Sequence, residues 1–210
     1  MRRAALIRSN GSKRRPFTRH LVLFTRWPQL GKGKRRLAAG IGPVQALRFQ
    51  RVSLALNLRR LGHDPRWRLW LAATPDRSGP WPDRLGIVAQ GGGDLGERMG
   101  RVAKALPPGP VVIIGSDVPR IARRDIAAAF HALGGSDAVF GPSPDGGYWL
   151  VGLSRRPRFI DPFGAVRWSC EHTFADTLAN LAGAKVARVR ARDDVDDAAS
   201  LARHPKWDRL

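Results

Sequence analysis

The sequence predicts an α/β domain built on a mostly parallel sheet, and three observations carry that reading. Val111-Val112-Ile113-Ile114 joins four β-favouring apolar residues without a polar break, the pattern of a strand buried on both faces. The strand runs into Gly115-Ser116-Asp117-Val118-Pro119, where a carboxylate follows the apolar run and a proline ends it. Along the rest of the chain, short apolar strands alternate with stretches of helical periodicity. At 210 residues the chain suits one domain with a substantial core.

The elements follow in order. Leu21–Phe24 reads as the first strand. Arg26 to Arg36 reads as a loop with five cations, two glycines and no acid. Glycines let backbone approach a ligand, and loop cations can then neutralise phosphate. The spacing excludes a Walker A loop, because no Ser or Thr follows Gly33-Lys34. Val44, Leu47, Leu54, Leu58 and Leu61 mark an amphipathic helix. Strand Arg68–Ala73 and a proline-rich loop from Thr74 to Arg84 come next, then a short strand at Ile87–Ala89.

Leu95, Met99, Val102 and Leu106 define another helix, opened by Asp94 and Glu97 as a capping-box variant. Gly91, Gly93 and Gly96 satisfy a dinucleotide fingerprint, but the strand before them is short and mid-chain, which argues against that motif. After the central strand come a helix with Ile126, Phe130 and Leu133 on one face and a strand at Asp137–Phe140. Asp145-Gly146-Gly147 forms a turn into a further strand. Ser169 reads as the N-cap of a helix carrying Phe174, Leu178 and Leu181. Lys185–Arg190 is the last strand, and Ala198–Arg203 begins the last helix. Between them, Asp193, Asp194, Asp196 and Asp197 place four acids in five positions. They either complement a helix dipole or share a divalent cation with Asp117.

Composition bounds the partners. Lys and Arg outnumber Asp and Glu by 37 to 17, a formal charge of +20 that attracts polyanions. The cations are spread along the chain and the tryptophans are scattered, with no aromatic-interleaved basic stripe, so a nucleic-acid-binding module is the weaker reading. Cys170 is the only cysteine, which excludes an internal disulfide. No apolar run reaches the ~18 residues of a membrane span. Residues 1–19 are basic without a secretory apolar region and read as a disordered extension, with a cytoplasmic location expected.

Taken as a set, these segments resemble the bacterial radical-SAM/selenodomain-associated transferase 1 family. That family is related to 2-phospho-lactate guanylyltransferase and belongs to the GT-A, or nucleotide-diphospho-sugar transferase, superfamily. The carrying residues are Pro28, Gly31, Lys34, Arg36-Leu37, Gly93 to Met99, Gly115 to Pro119, Gly141-Pro142 and Asp145 to Tyr148. Trp168-Ser169 and Asp194-Val195-Asp196 complete them. The resemblance implies a Rossmann-like three-layer α/β/α sandwich over 20–210, with a mostly parallel mixed sheet. It implies Mg²⁺ or Mn²⁺ on Asp117 and on Asp196 or its neighbour Asp194.

It further implies that Arg26, Gly31, Lys34, Arg36, Gly93, Gly96, Glu97 and Ser116 meet a nucleotide. Asp145, Gly146, Gly147, Tyr148, Trp168 and Ser169 would meet a small-molecule acceptor, with Lys34, Asp117 and Asp145 catalytic. Arg26 stands where that family usually has Lys, Arg35 where it has Thr, and Asp197-Ala198-Ala199 where Thr-Pro-Glu is commoner. The expected activity is glycosyl transfer from a nucleotide sugar. Nucleotidyl transfer from an NTP to a small phosphorylated acid, releasing pyrophosphate, is the alternative.

Overall fold

The structure is a computed structural model, and it describes residues 18–76, 79, 81 and 85–208. Most of the extension expected over 1–19, and parts of the loop expected over 74–84, lie outside the described residues. Seven strands form one sheet among the described residues: β1 (His20–Arg26), β2 (Arg68–Thr74), β3 (Gly86–Ile87), β4 (Val111–Gly115), β5 (Ala138–Pro142), β6 (Tyr148–Leu153) and β7 (Val186–Arg188). Their order is β3-β2-β1-β4-β6-β5-β7. All neighbours run parallel except β6, which is antiparallel to both β4 and β5.

The exception has a local cause. The Asp145-Gly146-Gly147 turn joins β5 to β6 too tightly for a crossover, and only antiparallel strands close with so short a link. Gly146 adopts φ 83°, and a Cβ there would strike the backbone of Glu171. The turn therefore requires glycine both for its conformation and for the close approach of another segment.

Helices cover both faces. On one side α2 (Pro43–Leu61) and α4 (Arg123–Ala132) bury Leu54, Leu61, Ile126 and Phe130 against Leu21, Leu71, Val112 and Ile114. On the other, α3 (Leu95–Ala105) and α5 (Thr173–Ala179) pack Met99, Val102 and Phe174 near Val22, Ile113 and Phe140. The alternate residues of β4 thus serve opposite faces, and all four apolar ones are buried. A third, small cluster joins Leu37 of α1 (Arg35–Ile41), Ala46 and Phe49 of α2, and Val195, near α6 (Ala198–Ala202).

Several element boundaries differ from the sequence reading. α1 occupies what reads as the end of a loop. Val44 is exposed, while Ala46, Phe49, Ser53 and Asn57 occupy the buried face of α2. Two polar residues replace leucines on that face because they bind a backbone carbonyl, described below. Ser169 is no N-cap: α5 starts at Thr173, and Ser169 sits in a turn at φ 61°.

Candidate functional site

The site lies at the point where strand order reverses. β1 and β4 are parallel neighbours, so their carboxyl ends lie side by side, while the strands that follow them lead away in opposite directions. Open α/β sheets take ligands in such crevices.

After β1 the chain turns through Gly31 (φ 73°) and Gly33 (φ 79°) into Lys34, itself left-handed at φ 44°. That conformation costs a non-glycine residue about 1 kcal/mol. Side-chain contacts oppose the cost. Lys34 Nζ donates to Asp196 Oδ1 and to the Val195 carbonyl, both at 2.6 Å, and lies 2.8 Å from Asp117 Oδ2. Arg36 Nη2 holds the other Asp196 oxygen at 2.8 Å. Val195 is fully buried, and its N–H donates to the Asp117 carbonyl at 3.1 Å. This anchor brings the acids after β7 to the end of β4.

The two carboxylates therefore converge, but on the chain's own ammonium rather than across from it. Burial opposes the charge on Lys34, while Asp117 and Asp196 outweigh burial and hold its pKa above the ordinary lysine range. Among the described residues, no group of three or more His, Cys, Asp or Glu side chains is placed to hold a metal. Two carboxylates completed by phosphates and water are nonetheless what Mg²⁺ typically takes. Asp117 and Asp196 fit that requirement in kind, provided that Lys34 yields its place between them.

Beneath Asp117 lies a polar support that the sequence pattern does not single out. Ser116 Oγ lies 2.9 Å from Thr25 Oγ1 and 3.2 Å from Asp117 Oδ1. The Ser116 carbonyl accepts from Ser53 Oγ at 2.7 Å and Asn57 Nδ2 at 3.2 Å. A polar break in an otherwise apolar helix stripe is the one signal that could have found Ser53 and Asn57. Gln90, also fully buried, ties the Thr25 and Ala72 carbonyls to the loop before α3 and accepts from Arg98. Asp76 holds the backbone N–H of Gln90 at 2.8 Å and of Gly91 at 3.0 Å.

Two cavities meet at Phe24, Leu95 and Gly115. The first, about 240 Å³, is lined by Arg26, Lys34 and Arg98 with Thr25, Ser116 and Asp117. The second, about 550 Å³, has Tyr148 and Trp168 in its wall and carries Asp145, Asp193, Asp194, Asp196 and Asp197. Arg36 and Arg203 are its cations among the described residues. Arg203 is bound to Asp193, and Asp197 caps α6. Asp145 and Asp194 have no ion pair among the described residues. Burial, then the charges of Asp196 and Asp145, push the Asp194 carboxyl up to about 6 against the opposing pull of Lys34.

The remaining residues singled out in the sequence divide. Arg26, Lys34, Ser116 and Asp117 line the smaller cavity. Arg36, Asp145, Gly147, Tyr148, Trp168, Ser169 and Asp196 line the larger. Gly31, Gly93, Gly96, Glu97 and Gly146 line neither of these cavities. Glu97 accepts from the Asp94 N–H at 3.0 Å while Asp94 accepts from the Glu97 N–H at 2.8 Å, a closed capping box. Gly93 makes room for that carboxylate, and Gly96 lets α3 approach Phe163 and Trp168. These three serve the helix start and its packing. Tyr148 is edge-on to Phe140 at 5.1 Å, and burial raises its pKa, so it acts as wall rather than as acid or base.

Strand order and crevice define the class: an α/β fold of the nucleotide-diphospho-sugar transferase and nucleotidyltransferase type. The chain belongs to the family described as "Uncharacterized protein conserved in bacteria (DUF2064)", whose pattern matches residues 57–170. No curated protein matches it in sequence. A structure from Desulfovibrio desulfuricans G20, named for the nucleotide-diphospho-sugar transferase class, is similar at 27% identity and a TM-score of 0.80. It covers 91% of this chain and 90% of its own. The 2-C-methyl-D-erythritol 4-phosphate cytidylyltransferase of Thermus thermophilus shares the fold at 16% identity and a TM-score of 0.52, over 90% and 99% of the chains. So does Rv0371c of Mycobacterium tuberculosis H37Rv in complex with manganese, at 16% identity and 0.50, over 89% and 97%.

Proposed function

We propose that the protein is a transferase that moves a glycosyl group from a nucleotide sugar to a small uncharged or cationic acceptor. The observation that carries this reading is the opposition of the two cavities. The smaller is cationic and suits the diphosphate of a donor. The larger is rich in carboxylates and walled by aromatic rings, which suits hydroxyl-bearing or amine-bearing groups.

Carboxylates accept hydrogen bonds from sugar and polyol hydroxyls, and rings cover their apolar faces. In the transfer, the bond from the anomeric carbon to the diphosphate oxygen breaks and a bond to an acceptor oxygen or nitrogen forms. Negative charge grows on the departing diphosphate, and Lys34, Arg26 and Arg98, which line the smaller cavity, would stabilise it. Asp145 would orient the acceptor, and Asp194, with its carboxyl near 6, would take its proton. Asp117 and Asp196 would hold Mg²⁺ or Mn²⁺, which supplies charge neutralisation at the diphosphate.

The cationic loop with Gly31, Gly33 and Lys34 favours a second reading, nucleotidyl transfer from an NTP. A phosphorylated acid is a poor acceptor for it, because the larger cavity repels anions. Product analysis separates the two. Incubation with nucleotide sugars, NTPs and a panel of polyols, amines and phosphorylated acids should release nucleoside diphosphate from nucleotide sugars only. Pyrophosphate release from an NTP, with a phosphorylated acid as the best acceptor, would overturn the leading reading.

A further inference from the structure

A third cavity borders the larger part of the site through Asp193, shares no lining residue with the smaller part, and has a different chemistry. It encloses about 520 Å³ on the α2 and α4 side of the sheet. Five arginines line it: Arg60 at the end of α2, Arg120 and Arg124 around the start of α4, and Arg190 and Arg192 after β7. His204, beyond α6, completes the wall, and Asp193 is the one carboxylate lining it among the described residues.

That carboxylate is already engaged by Arg203 at 2.5 Å, and Arg192 is bound to Asp125 at 2.5 Å. Arg120, Arg124 and Arg190 have no ion pair with any described residue. The repulsion is felt: burial and the charge of Arg120 lower the pKa of Arg60, and burial followed by several arginines lowers that of His204, against the pull of Asp193. Like charges converging on one concavity are destabilising by themselves and become favourable when a polyanion fills the space.

We propose that this cavity binds a compact polyphosphate or multiply phosphorylated small molecule, at a site separate from the donor cleft. Its walls, residues 119–124 and 190–193, continue directly from Asp117 and into Asp194 and Asp196. An occupant would therefore brace the two segments that carry the site's acids. This inference does not depend on which transfer the protein catalyses.

The test is calorimetry with inorganic tripolyphosphate on the full chain at low ionic strength, with EDTA present. Two classes of site are expected. The exposed double variant Arg120→Glu/Arg124→Glu should weaken one class by at least about tenfold, and Arg190→Gln should weaken the same class by a smaller factor. Lys34→Ala should change only the other class. Thermal melts matching the parent would show that the arginine variants remain folded. A single class of site lost in Lys34→Ala, or arginine variants that titrate like the parent, would overturn the proposal. So would a 20-base-pair DNA duplex that displaces tripolyphosphate at equal phosphate concentration, because the surface would then be a nucleic-acid site.

Discussion

The two cavities at the carboxyl edge of the sheet share a rim and differ in sign. Around Arg26, Lys34 and Arg98 the field is positive, and the acid present, Asp117, is bound by the Lys34 ammonium at 2.8 Å. Around Asp145 and Asp194 acids predominate, and burial, followed by the charges of Asp196 and Asp145, pushes the Asp194 carboxyl up to about 6. The chain carries a net charge of +20, so the acid-lined cavity runs against the composition of the whole molecule. A feature that opposes the average is informative about a ligand, whereas one more basic patch would not be. Under the proposed function, donor and acceptor would be recognised by opposite charges, with the Lys34–Asp117–Asp196 cluster as the seam between the two cavities.

The largest effect is expected from cutting that seam. Asp117→Ala should leave the fold intact while weakening metal-dependent nucleotide binding at least tenfold and lowering turnover by roughly 10²-fold or more. Calorimetry with Mg²⁺ would expose equal affinity in variant and parent, which would remove Asp117 from the site. Lys34→Ala should remove phosphate-dependent affinity and leave nucleoside binding almost unchanged. Without metal it should also cost about 1–2 kcal/mol of stability, less than a fully buried pair because both carboxylates are about one-third exposed. Mg²⁺ should restore more of the melting temperature in this variant than in the parent, since the ammonium no longer competes for the carboxylates.

Gly96→Ala tests whether the wall between α3 and Trp168 shapes the larger cavity. A Cβ there would meet Trp168 and the Phe163 carbonyl at 2.5 and 2.8 Å, an overpacking expected to cost ~1–3 kcal/mol in urea melts.

The charge of the acid-lined cavity can be titrated. Asp194 has a raised pKa in the folded state, so protonation favours folding. Its stabilising contribution is complete below the ordinary aspartate value near 3.8 and is lost as pH rises through about 6. In chelated buffer, Asp194→Asn should therefore gain stability over the parent between pH 4 and pH 7, by roughly 1–2 kcal/mol. Parallel pH curves for the two proteins would show that the cavity is not acidic in effect. The smallest change is expected from Glu97→Ala. It should cost about 1 kcal/mol of stability through the lost cap and leave nucleotide affinity unaltered, whereas a loss of affinity would return Glu97 to the binding site.

Legibility in the sequence followed the range of the interaction. The buried strand at Val111–Ile114, the Asp145-Gly146-Gly147 hairpin and the Asp94–Glu97 cap are local, and apolar runs, turn chemistry and capping pairs announce them. Ser169 misled because a serine before apolar periodicity resembles an N-cap, yet the backbone there turns at φ 61° and α5 begins four residues later. Gly93 and Gly96 were legible only as close approaches, because glycine marks any of them, and the protein groups that approach are Glu97 at Gly93 and Trp168 at Gly96. Ser53, Asn57 and Gln90 left almost no trace, since their partners are backbone carbonyls distant in the chain.

The sequence by itself determined the parallel core, the caps and turns, and the presence of an acid after the central strand and an acidic run near the carboxyl end. Only the tertiary structure decided that Val195, locked between Leu37 and Phe49, would bring that run back to β4. It alone placed the Lys34 ammonium between Asp117 and Asp196 instead of facing them. The physical reason is that hydrophobic periodicity encodes which face a residue buries. Pairing between charges more than 70 positions apart depends on strand order and on the one buried contact that closes the loop.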